Sequence, residues 1–187
     1  MKKMIIAAFV AVVSLTASAQ IWVGGEVGFN TWKESNPSLK GNQFTVAPEV
    51  GYKLNDKLDV AVLIGYAHAK NADELFDFEL LDFDNANGFE LNPYLRYTFA
   101  KAGNFGFFVD GGFTYALLHV CGVDKSVNAW EIGLKPGISY AVSDKVTLVA
   151  KVGFAGYQFA KQGSWKRNEF GLGLDGNNIS FGAYVNF

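Results

Sequence analysis

Beyond residue 19 the chain alternates apolar with polar or small side chains at a period of two, segment after segment. Successive side chains of a strand point to opposite faces, so the pattern predicts β-structure with one apolar and one contrasting face. Eight segments carry it: 21–32, 43–54, 58–67, 89–99, 105–115, 130–142, 146–155 and 179–187. In the first, Val23, Val27 and Phe29 oppose Gly24, Glu26 and Gly28; in the sixth, Trp130, Ile132, Leu134 and Ile138 oppose Glu131, Gly133, Lys135 and Gly137. Phe170, Leu172 and Leu174 fall out of phase with the closing segment, which predicts a bulge or a new strand start near 175–178.

The connections alternate as well. Polar turns at 55–57, 101–104 and 143–145 are tight, whereas 33–42, 69–88, 119–127 and 158–168 are long. Short turns on one side and long loops on the other are the plan of an up-and-down barrel. A repeat supports the hairpin count: Pro48 to Tyr52, Pro93 to Tyr97 and Pro136 to Tyr140 recur at spacings of 45 and 43 residues. Proline removes one ladder hydrogen bond, so the three predict a shared local distortion.

Composition decides which face looks out. The 17 Phe, 8 Tyr and 4 Trp sit mainly in the apolar set, far more volume than eight strands can enclose. The opposite set is Gly, Ala, Ser and Thr interspersed with charges, which suits a narrow lumen. No stretch after residue 19 holds 18 consecutive apolar residues, so a membrane would be crossed by strands. Aromatics gather toward both ends of the apolar face, with Tyr52, Tyr97 and Tyr140 near the short turns and Tyr66, Tyr115 and Trp130 toward the long loops. Amphipathic rings favour the bilayer interface, so these predict two girdles around an aliphatic band. The expected fold is all-β: an eight-stranded antiparallel up-and-down transmembrane β-barrel over residues 20–187.

The first nineteen residues read as a cleaved secretory signal peptide. Lys2 and Lys3 give a basic start, residues 4–13 an apolar run too short to span a bilayer, and Ala17-Ser18-Ala19 a small-residue cleavage pattern. Losing both lysines leaves 14 basic against 18 acidic residues, a net charge of −4. That balance lacks the concentrated basic face a nucleic-acid partner requires. In an oxidising compartment the lone Cys121 has no partner within the chain and reads as a spectator.

With its signal peptide, eight alternating strands, alternating loop lengths and a last segment Ile179-Ser-Phe-Gly-Ala-Tyr-Val-Asn-Phe187, the chain resembles the small outer-membrane β-barrel family of the OmpX and OmpA transmembrane-domain type. The resemblance spans residues 20–187. It implies a bacterial outer-membrane location with both termini periplasmic, outer-membrane lipid and lipopolysaccharide as surroundings, and a terminal Phe187 read by the barrel-assembly machinery.

Glu26, Glu49, Arg96, Asp110, Lys135 and Lys151 fall at similar depths on the lumen face, and their charges sum to zero. Unpaired charges away from water are costly, so these six predict an interior network of ion pairs that fills the barrel. A selective conductance path is the competing reading. No cofactor or metal set is expected, because His68 and His119 have neither a nearby Cys nor a second His. His119 with Ser126 and Asp124 is the one combination that could serve a lipid A-modifying enzyme, and its spacing fixes no triad. The acidic stretch 71–87 reads as an extension of the third and fourth strands, with divalent-cation binding as the sharper alternative. The function expected is non-enzymatic: a structural or surface-interaction protein meeting an extracellular ligand through long loops. A narrow channel or small-solute transporter is the alternative, and a lipid A-modifying enzyme the third.

Overall fold

The computed structural model describes residues 20–35, 38–76, 78–122, 126–173 and 179–187; the proposed signal peptide lies outside the described residues. The strands are β1 (Ile21–Ser35), β2 (Ser38–Lys53), β3 (Leu58–Leu75), β4 (Phe78–Ala102), β5 (Phe105–Val120), β6 (Val127–Ala141), β7 (Val146–Val152), β8 (Phe154–Gln162), β9 (Trp165–Gly173) and β10 (Ile179–Asn186). Neighbours pair antiparallel in chain order, and β1 pairs with β10 to close the sheet. β7 with β8 forms the seventh stave of the barrel and β9 with β10 the eighth, giving an eight-stranded antiparallel barrel.

The strands run well past the alternating segments. β1 and β2 stay paired to Ser35↔Ser38 and β3 and β4 to Leu75↔Phe78, so residues expected as long loops are largely hairpin. Pairing outlasts the alternation there because backbone hydrogen bonds form regardless of side-chain polarity. The short turns close by local bonds. Asn55 Oδ1 accepts from the Lys57 N–H at 2.9 Å, and Ser143 Oγ accepts from the Lys145 and Val146 N–H groups at 3.3 and 3.1 Å.

The three repeated prolines share one geometry. Each pairs with the preceding stave (Gly25↔Pro48, Val62↔Pro93, Val109↔Pro136), and each lies at a gap in the ladder to the following one. A residue without an N–H has nothing to donate on that side. At Pro136 the gap coincides with a bulge: Leu134 pairs Ala155 and Gly137 pairs Lys151, so the seventh stave carries one extra residue. Gly153 absorbs it at φ 71°. The bulge inverts the phase: the unbroken alternation expected over 146–155 would put Phe154 on the apolar face and Ala155 opposite it, and the pairing reverses both. Phe154 turns into the lumen over Gly133, and Tyr157 and Phe159 face out against Trp130. The phase also changes between β9 and β10, with Phe170, Leu172 and Phe181 all exposed; residues 174–178 lie outside the described residues.

Closure of the eighth stave onto β1 runs from Trp22↔Asn186 to Glu26↔Gly182. Beyond Glu26, no pairing joins β1 to β9 among the described residues. Phe29, Phe170 and Leu172 there reach 74, 81 and 79 % exposure, against at most 69 % for the other outward apolar side chains among the described residues.

Candidate functional site

Among the described residues the fold concentrates its polar chemistry in the lumen, which is filled in three layers. Nearest the short turns, Arg96 on β4 is 5 % exposed and forks onto Asp110 on β5, with Nε donating to Oδ1 at 2.7 Å and the terminal nitrogen to Oδ2 at 2.8 Å. Arg96↔Asp110 is a direct cross-strand pair, so the register itself presents guanidinium to carboxylate. Such bidentate pairs are among the stronger hydrogen-bonded contacts in proteins. The guanidinium also donates to Tyr184 Oη at 3.1 Å and lies 4.0 Å from the Phe108 ring centroid, with Tyr184, Tyr94 and Trp22 at 5.1, 5.5 and 5.6 Å. Lys151 on β7 reaches Glu26, Asp110 and Glu49 at 2.5, 3.5 and 3.8 Å, and Tyr94 Oη donates to Glu49 at 2.6 Å.

The interior rings were not singled out in the sequence, although phase places Trp22, Tyr94, Phe108 and Tyr184 on the lumen face. Their partners across the sheet explain how such volume fits. Trp22 lies opposite Gly51, Tyr184 opposite Gly24, Tyr94 opposite Gly112 and Phe108 opposite Gly137. A Cβ at Gly51 would stand 2.1 Å from the Trp22 indole, and one at Gly137 would stand 2.3 Å from the Phe108 ring. Each large side chain therefore occupies the space its facing glycine leaves empty.

The middle layer is polar. Asn92 Nδ2 donates to Thr114 Oγ1 at 2.8 Å, Thr114 to Glu131 Oε1 at 3.2 Å, and Gln158 Nε2 to Glu131 Oε2 at 2.8 Å. Lys135 meets Glu131 at 3.1 Å. Glu131 was missing from the sequence-derived set, though it shares strand and phase with Lys135; adding it leaves the lumen cluster one carboxylate in excess. These groups border a cavity of about 20 Å³ lined by Asn92, Glu131, Lys135 and Lys151 among others. That is room for about one water.

The third layer, toward the long hairpins, is apolar. Ala67, Ala69, Ala116, Leu118, Val127 and Ala129 line it, and Leu75, Phe76 and Trp165 pack into it. Leu75 and Phe76 belong to the β3–β4 hairpin, which projects beyond the barrel and then returns. Asn71 at φ 48°, a register shift between Ala72 and Glu74, and Phe76 at φ 57° bend it inward. Asn tolerates the left-handed region, whereas a bulky Phe is held there only by its packing. The extension expected of stretch 71–87 is thus present as backbone, with its tip folded into the mouth. Asp77 lies outside the described residues, as do the side chains of the other acids there.

The residues expected to form the girdles lie on the outer surface. Tyr52, Tyr97 and Tyr140 ring the short-turn end with 39–46 % exposure. Tyr66 packs on Phe89 at 5.0 Å, Trp130 on Tyr157 and Phe159 at 5.4 and 5.5 Å, and Tyr115 Oη donates to Asn128 Oδ1 at 2.8 Å. Tyr97 and Phe89 are eight residues apart on β4, about 27 Å along the strand and roughly 20 Å along the axis at a tilt near 40°. That spacing approaches the apolar band of about 25 Å that a membrane barrel presents. Phe187 ends the last stave, its N–H donating to the Ile21 carbonyl at 3.0 Å. His119 and Ser126 are exposed on either side of the β5–β6 connection, and Asp124 lies outside the described residues. Cys121 is an exposed free thiol in the same connection.

A closed antiparallel barrel with apolar and aromatic side chains outside and ion pairs within is a membrane-spanning barrel of the bacterial outer-membrane type. Residues 5–187 match the outer membrane protein beta-barrel domain, and the chain belongs to that family. The fold is similar to the crystal structure of Neisserial surface protein A, at 18 % identity and a TM-score of 0.54, with 91 % of this chain and 98 % of that one covered. It is also similar to the N-terminal β-barrel domain of Pseudomonas aeruginosa OprF, at 12 % identity, TM-score 0.51 and coverages of 91 and 98 %. At these identities the likeness is one of fold. No curated protein matches the sequence.

Proposed function

We propose that this chain is a non-enzymatic, non-conducting outer-membrane barrel that presents its long-hairpin end to the exterior as a surface for contact, with both termini in the periplasm. The filled lumen carries the reading. An aromatic and ionic layer, a polar layer with room for about one water and an apolar layer lie in series along the axis. A solute path would need all three to rearrange, so the long hairpins are the part left to meet partners. In this reading Phe187 is the feature recognised by the assembly machinery, and the two girdles hold the barrel at the membrane interfaces.

Two measurements test it. In planar bilayers the folded chain is expected to add no conductance above background; stable unit steps would establish the channel reading instead. On intact cells a membrane-impermeant maleimide is expected to label Cys121, the only thiol. Labelling that appears only after lysis would reverse the orientation.

A further inference from the structure

Lys161 near the end of β8 and Lys166 near the start of β9 stand directly opposite each other. Both are exposed, and neither carries an ion pair among the described residues. Like charges facing across a sheet destabilise it. The neighbouring ion pair, Arg167 with Glu169 at 2.9 Å, belongs to the alternate positions of β9 and so to its other face. The outward lysines are thus left to repel one another, a local conflict that the fold itself does not resolve.

What lies beneath them on the same face is aromatic. Phe159 is two residues from Lys161, and Trp130 packs on both Phe159 and Tyr157, with Phe113 6.4 Å beyond Trp130. Asn128 is paired opposite Lys161; its oxygen accepts from Tyr115, which leaves the amide nitrogen to donate. Two cations and an amide donor therefore sit one step above a shelf of rings at the outer girdle. We propose that this β6–β8–β9 face binds a phosphorylated outer-leaflet glycolipid of the lipopolysaccharide type. Lys161 and Lys166 clamp one phosphate, and the rings below hold the acyl chains. An anion between the lysines turns their repulsion into two charge-assisted contacts, and the apolar shelf lies at the depth where acyl chains begin. The inference rests on the orientation proposed above.

The test folds the mature chain into bilayers of zwitterionic phospholipid, adds bisphosphorylated lipopolysaccharide, and follows the unfolding midpoint by gel migration. Lys161→Gln with Lys166→Gln is expected to raise the half-saturating lipopolysaccharide level on the order of tenfold or more. Lys57→Gln with Lys145→Gln, an equal loss of charge at the short turns, is expected to leave it unchanged. Lys161→Gln alone gives an intermediate shift and serves where the double variant folds poorly. Dephosphorylated lipopolysaccharide and inorganic phosphate are expected to stabilise none of them. Wild-type affinity in the double variant, equal stabilisation by the dephosphorylated lipid, or the same stabilisation by inorganic phosphate would each overturn the proposal. Labelling Cys121 on intact cells separates the two readings. Outward Cys121 with unchanged affinity sinks the lipid site alone, and inward Cys121 sinks the orientation.

Discussion

Replacing Arg96 by Met removes the centre of the ionic layer while keeping an unbranched apolar side chain in its place. The loss comprises a bidentate pair to Asp110 at 2.7 and 2.8 Å, a bond to Tyr184 at 3.1 Å and a cation held 4.0 Å from the Phe108 ring. Removing one partner of a buried pair costs about 3–5 kcal/mol, mostly because the other charge is stranded. Here Asp110 keeps Lys151 at 3.5 Å, so the expected cost lies at the lower end, about 3 kcal/mol. Arg96→Lys keeps the charge but not the planar fork, and is expected to fall between Met and wild type. The double variant Arg96→Met with Asp110→Leu strands no charge and is expected to recover most of the loss, since an apolar replacement of a buried pair is often neutral. Urea unfolding in lipid vesicles, followed by gel migration and tryptophan fluorescence, gives these three differences and that of Asp110→Leu alone, which completes the cycle. Two results would refute the reasoning: an Arg96→Met midpoint indistinguishable from that of Lys57→Ala on the β2–β3 turn, or a double variant whose cost equals the sum of the singles.

Gly137→Val puts a Cβ 2.3 Å from the Phe108 ring and 2.7 Å from the Ala150 carbonyl. It is expected to abolish the heat-modifiable folded band, with Phe108→Ala restoring part of it; normal folding of Gly137→Val would disprove the ring-to-glycine fit. Gly153→Val forces a β-branched residue to φ 71° and is expected to lower stability by about 1–2 kcal/mol or more, whereas an unchanged midpoint would mean that the bulge does not depend on glycine. Phe187→Ala leaves the backbone bond to Ile21 in place, so its unfolding midpoint in vesicles is expected to move little while the amount assembled in cells falls several-fold. Equal losses in both assays would assign Phe187 a packing role instead.

Alternation made the eight staves readable because lipid outside and a packed lumen inside impose opposite demands on successive residues. Where that contrast ends, so did the reading: β4 begins at Phe78, although its apolar phase is distinct only from Phe89. The Gly153 bulge was hidden because one inserted residue between Val152 and Phe154 leaves a run that reads equally well as unbroken alternation. For the lumen, phase alone brought Glu26, Glu49, Arg96, Asp110, Lys135 and Lys151 to one face. It could not say that Arg96 takes Asp110 while Lys135 takes Glu131, because partner choice depends on register between strands. Register likewise hides the match of Trp22 to Gly51 and Phe108 to Gly137 until the strands are paired. The inward fold of Leu75 and Phe76 depends on two left-handed backbone positions, neither of them a glycine that would have marked it.

Inside and outside can be read directly from two tryptophans. Trp130 packs among the outer rings, and Trp22 is 1 % exposed beside Arg96. Single-tryptophan variants retaining one or the other, folded into vesicles containing brominated phospholipid, should differ sharply: strong quenching for Trp130 and little for Trp22. Quenching of Trp22 with Trp130 protected would mean that the barrel faces are assigned the wrong way round.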